Sequence, residues 1–292
     1  MELKYTVKSD TMTINQILKT EFDISSILLN RLIKNNKILL NNTKCDTRIS
    51  PNIGDIITVD LSMQEDNSNI VATKMPLDII YEDDWMIIVN KPAGIAVHPS
   101  ILHYDDSLSN GIKSYFNTIN LHKKIRPVNR LDRNTSGLVL FAKCEYIQEC
   151  LIKQMQANTF KKEYLAICNG IFDKKHSIID LPIARKENSI IERCISENGQ
   201  KSITHYKVLK EFNNYSLVNC TLETGRTHQI RVHMAAIGHP LIGDSLYGTD
   251  SDFIDRHALH CYKLQFIHPV TKCNLDFLCS LPCDFKNFDF IK

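Results

Sequence analysis

The chain has 292 residues, 43% of them hydrophobic, so it can bury a full core, and its 35 basic against 33 acidic residues nearly cancel. That balance excludes nucleic-acid binding through overall charge; any such contact must come from a local patch. The opening MELKYTVKSDTMTINQ has no apolar segment ahead of a small-residue cleavage site, and no apolar run of about eighteen residues occurs, so a cytoplasmic protein without membrane contact is expected.

The first unit is read as residues 1–61. In MTINQILKTEFDISSILLNRLIKNNKILLNN the apolar positions Ile14, Ile17 and Leu18, then Ile27, Leu28, Leu32 and Ile33, predict two short amphipathic helices, the second capped at Ser25. Short β-rich runs follow at Ile38–Leu40 and Ile56–Leu61, separated by turn residues. The expected order is helix, helix, small sheet. SMQEDNSNIVATKM, residues 62–75, is polar and aperiodic and reads as a linker.

Residues 76–292 form the expected larger domain. LDIIYEDDWMIIVNKPAG predicts a hairpin and a turn, Leu138–Ala142 a strand, EYIQECLIKQMQANT an amphipathic helix, and EYLAICNG another strand. ITHYKVLK and YSLVNCTLE, divided by Asn213-Asn214, predict a further hairpin. Many strands joined by hairpins, with few helices between, give an α+β fold with a mixed, mostly antiparallel sheet. Ten cysteines are scattered, and Cys273, Cys279 and Cys283 lack paired spacing or a His partner, so reduced thiols and no metal site are expected.

Two polar clusters interrupt this apolar pattern. RPVNRLDRNTSGLVLFAK sets Asp132 between two arginines, and TGRTHQIRVHMAAIGHP predicts a short helix from about residue 228, capped by Thr227, with His228 and Arg231 three apart on one side. Taken alone, Asp132 fits a surface turn equally well, Tyr164 a core aromatic, and Arg231 a surface ion pair.

Together with NKPAGIAVHP and KKEYLAICNG, these motifs resemble those of the RluA/RluD-type pseudouridine synthases, from residue 77 to about 283. The resemblance implies that Asp132 is the nucleophile, that Tyr164 lies against the target base, and that Arg231 pairs with the acid. It also implies RNA contacts by Arg130 and Arg226. ISSILLNRLIKNNKILLNN and NIGDIITV resemble an S-four-type RNA-binding domain, which implies RNA contacts by Arg31, Lys34 and Lys37.

The implied chemistry suits these residues. Isomerising uridine breaks the bond from base nitrogen to anomeric carbon, turns the uracil and rejoins it through carbon-5. Nothing is oxidised, so no cofactor is implied. A carboxylate that caps one intermediate keeps water out of the exchange, and a facing guanidinium keeps that acid ionised despite burial. The expected partner is structured RNA, ribosomal in preference to transfer RNA, and the expected state is a monomer. A ribosome-assembly factor that only binds RNA, or a nucleosidase with Asp244 as second carboxylate, is the competing reading. Which uridine is modified, and by which route Asp132 attacks, is not legible.

Overall fold

Two main sheets divide the chain, with a short strand pair, Ile183–Arg185 and Arg193–Ile195, beside the larger. The computed structural model describes residues 1–101 and 103–288. Residues 289–292, the end of the span read as the larger domain, lie outside the described residues.

Helices Ile14–Thr20 and Ser26–Lys34 occupy the two expected stretches. Thr13 and Gln16 close a capping box on the first, and the Ser25 hydroxyl accepts from the Leu28 amide at 3.3 Å on the second. Ile14, Ile17, Leu18, Leu28, Leu29 and Leu32 are buried beneath a four-stranded sheet. The expected order needs one correction, because strand Glu2–Thr6 precedes both helices and pairs antiparallel with Ile56–Asp60, setting Leu3 opposite Val59. A five-residue strand whose partner lies some fifty residues on gives little local signal.

Residues 62–75 carry no strand or helix but are tied to the larger unit. Glu65 takes two hydrogen bonds from the Arg126 guanidinium, at 2.5 and 2.9 Å, and Ile70 is buried. Lys123 Nζ donates to the Leu61 and Met63 carbonyls, each at 2.6 Å.

The larger fold is α+β, built on a ten-stranded, mostly antiparallel sheet. Strand Ser136–Ala142 is buried along its whole length and pairs antiparallel with Met86–Lys91. On its other side it meets Leu259–Ile267 in parallel, through only two residue pairs, His260 with Ser136 and Cys261 with Gly137. Gly137 is required there: its φ is +117°, and a Cβ would stand 2.1 Å from the Cys261 carbonyl oxygen. Beyond this junction lie Lys161–Asn169, Tyr215–Leu222, Ile203–Phe212 and His176–Asp180, all antiparallel. The hairpin at Asn213-Asn214 forms as expected, with Asn213 in the left-handed region that a tight turn needs.

Helix Glu145–Gln156 buries Tyr146, Ile147 and Leu151. A second helix, Leu108–Thr118, had no clear sequence signal, since Gly111 and several Ser and Asn residues weaken local propensity. It is fixed by packing, with Met75 lying directly over Gly111. Among the described residues no helix is long and apolar enough to cross a membrane. The ten cysteines are free thiols, and only Cys273 and Cys283 are exposed.

Candidate active site

The acidic loop, residues 129–135, enters strand Ser136–Ala142 at the parallel junction and is held on every side. Asn129 is buried, donating to the Leu138 carbonyl at 3.0 Å and accepting from the Leu140 amide at 2.8 Å. Lys91 is fully buried below and donates to the carbonyls of Pro92, Ile95 and Arg133, at 2.8 to 2.9 Å. Burial, then the charge of Arg256, pulls its ammonium down to about 7, against the attraction of Asp132. Arg256 in turn donates to the Asn134 carbonyl and pairs with Asp284, and Thr135 shares a 2.8 Å hydrogen bond with His257. The carbonyls of Asp132, Arg133 and Asn134 therefore all have partners.

Asp132 emerges from this frame with 27% of its side chain exposed, into a cavity of about 440 Å3. Tyr164, Arg231, His228, Arg130 and Arg226 line the same cavity. Tyr164 is 5% exposed, and burial, aided by Cys261 and Asp132, raises its phenol well above the ordinary value. The hydroxyl is thus no base at neutral pH, and the ring face is what it offers.

Arg231 is not a simple partner of Asp132, and the pairing read from the resemblance needs refining. Its Nε and Nη2 form a bidentate pair with Asp244 at 2.7 and 2.6 Å, while Nη1 stands 3.7 Å from Asp132 Oδ2. Asp244 is fully buried and also accepts from the Leu246 and Tyr247 amides. Burial alone would raise its carboxyl, but the hydrogen bonds and charge of Arg231 hold it below the ordinary value. The guanidinium is consequently locked in place and presents one remaining edge to Asp132. Asp244 has no capacity left for acid catalysis, and Glu223, which also lines the cavity, bonds His205 at 2.6 Å.

His228, and not Thr227, caps helix Gln229–Ala236, with φ at +58°. Gln229 instead fixes the turn ahead of the helix, its side-chain oxygen accepting from the Arg226 amide and the Thr224 hydroxyl. The Tyr247 hydroxyl accepts from the Arg193 amide at 2.8 Å and shares a 2.9 Å hydrogen bond with His228 Nδ1. The other ring nitrogen, Nε2, stands 3.9 Å from Asp132 Oδ2. Burial lowers the pKa of His228, against the attraction of Asp132. From sequence Lys91 and Tyr247 were not singled out, His228 was read only as one of a basic pair with Arg231, and Asp244 only as a turn residue or a conceivable second carboxylate. The signal available was only their presence in NKPAG, GRTHQIR and HPLIGDSLYG.

The basic candidates are scattered more widely. Arg130 is exposed and lines both the main cavity and a second groove, of about 630 Å3, that reaches Arg31. Arg226 is exposed, with its Nε donating to the Lys201 carbonyl. In the small unit Lys34 is exposed, Lys37 pairs with Asp60 at 2.6 Å, and Arg31 pairs with Glu145 of the larger unit. Among the described residues no group of three or more His, Cys, Asp or Glu is placed to hold a metal ion.

The family model described as RNA pseudouridylate synthase matches residues 85–236, a span that holds Asp132, Tyr164 and Arg231. The Bacillus subtilis protein named uncharacterized RNA pseudouridine synthase YhcT is 38% identical over 98% of this chain and 95% of its own. The chain belongs to the RNA pseudouridylate synthase family. A Neisseria meningitidis relative of the synthase, named ribosomal large subunit pseudouridine synthase D, is 36% identical over 90% of this chain and 73% of its own. Among solved structures, human RNA pseudouridylate synthase domain containing 1 matches with a TM-score of 0.59 and 26% identity, covering 75% of the synthase and 87% of its own chain. The cavity of the synthase holds one accessible carboxylate, a fixed cation beside it and a flat buried ring, and its other lining carboxylate, Glu223, is bonded to His205.

Proposed function

We propose that this synthase converts a uridine of large-subunit ribosomal RNA to pseudouridine, with Asp132 as nucleophile, Tyr164 as the surface on which uracil stacks, and Arg231 as the cation beside the acid. What supports the reading is that these three side chains, from three distant segments, line one cavity. The ribosomal target follows from the Neisseria relative and its printed name.

The target uridine leaves its stack, at a cost of a few kcal/mol that is smallest in loops and mismatches. Arg130 holds the neighbouring backbone or fills the vacated space, and Arg226 contacts phosphate. The small unit acts as an S-four-type RNA-binding domain through Arg31, Lys34 and Lys37, with Arg31 and Lys37 exchanging Glu145 and Asp60 for phosphate. Uracil stacks on Tyr164, worth about 1–3 kcal/mol at comparable sites. The carboxylate of Asp132 caps the intermediate while the glycosidic bond is broken, the base turns, and carbon-5 replaces nitrogen at the sugar, releasing its proton.

RNA labelled with tritium at uridine carbon-5, prepared from cells lacking the synthase, tests this directly. Isomerisation releases tritium to water, and Asp132→Asn reduces release by at least about 10⁴-fold with RNA binding kept. Free uracil in place of released tritium would make the protein a nucleosidase. Binding without either product would make it an assembly factor.

A further inference from the structure

Lys162 lies on strand Lys161–Asn169, two residues before Tyr164, so both side chains project from the same face about 7 Å apart along the strand. Both line the main cavity. Other buried lysines have protein acceptors: Lys91 donates to three carbonyls, Lys123 to two, and Lys143 to Glu82 and to the Asp83 carbonyl. Lys162 is largely buried too, yet among the described residues its ammonium has no hydrogen-bond acceptor and no carboxylate. Burial accordingly lowers its pKa, with nothing but the distant thiol of Cys261 to oppose it. Its Nζ faces the turn before helix Gln229–Ala236, where a Cβ on Gly225 would stand 3.4 Å away.

An ammonium that no protein group holds, set in a cavity and partly desolvated, is open to a ligand. Its missing partner is an anion, because uracil offers only neutral carbonyls and the carboxylates lining the cavity, Asp132 and Glu223, lie with other groups. The anion that RNA carries is its phosphodiester, which a lysine binds as a point charge. We propose that Lys162 binds the phosphodiester adjoining the flipped uridine, fixing the backbone while the base rests on Tyr164. This rests on the cavity being the uridine site.

Binding is measured in the Asp132→Asn background, which separates affinity from turnover, using RNA from cells lacking the synthase. Lys162→Met weakens binding about tenfold at low salt and flattens the plot of log affinity against log salt by about 0.7–0.9, the loss of one phosphate contact. Lys162→Arg keeps the slope. In otherwise unaltered enzyme Lys162→Met raises KM more than it lowers kcat, and its thermal midpoint is equal to or above that of the parent. An unchanged salt slope, or a midpoint lowered by several degrees, would overturn the proposal and make Lys162 a structural residue. Failure of the underlying reading looks different: the Asp132→Asn protein would still release tritium.

Discussion

The floor beneath Asp132 and the wall that carries Tyr164 both bury a lysine, and the two lysines are treated in opposite ways. Lys91 in the floor spends all three protons on carbonyls that shape the acidic loop, whereas Lys162 in the wall spends none. The floor is a saturated polar network in which Asn129, Lys91, Arg256 and His257 each bond the loop or the strand it enters. The wall keeps capacity in reserve. Saturation marks groups that hold the protein in shape, and vacancy marks groups that await a ligand.

The largest expected effect tests the most buried element of the frame. Asp244→Leu leaves Arg231 buried without its partner and should cost about 3–5 kcal/mol in denaturant unfolding, with tritium release lost as the guanidinium swings free. A change below 1 kcal/mol would mean that Arg231 finds Asp132 unaided. Next, Lys91→Met removes a donor from three carbonyls, of which Arg133 keeps the Gly94 amide, and should cost about 1–3 kcal/mol, set against the neutral or stabilising outcome at Lys162; equal losses at the two lysines would erase the contrast between floor and wall.

Taken over a single unit of pH, the pH dependence is the smallest effect. Burial, then Arg231, pushes the His257 pKa down to about 3, from an ordinary value of 6.5. In this window the unfolded chain binds a proton that the folded one refuses, so stability is full above about 6.5 and falls as pH drops toward 3. The loss approaches about 1.4 kcal/mol per pH unit. His257→Gln should flatten that slope in unfolding curves collected between pH 6.5 and 4.

Much of the larger sheet was legible because its hairpins announce themselves locally, in apolar runs broken by Asp83-Asp84 or Asn213-Asn214. Strand Glu2–Thr6 and helix Leu108–Thr118 were not, since a long-range partner and tertiary packing hold them in place. In the site the motifs carried Asp132, Tyr164 and Arg231 to one cavity. Choice of partner was hidden: nothing in a linear reading says that Arg231 forms its tight pair with Asp244 and offers Asp132 a single edge. Lys91 and Lys162 were hidden for a related reason, because lysine is ordinarily exposed and composition cannot tell a satisfied buried amine from an empty-handed one.

The two antiparallel portions of the large sheet touch through a seam only two residue pairs long, closed by a glycine whose missing side chain lets the backbones meet. A change in the outer hairpins reaches the acidic loop through sheet pairing only by passing His260 and Cys261. Tyr164 lies on the far side of that seam from Asp132, so the same two residue pairs hold the ring and the acid at a fixed separation.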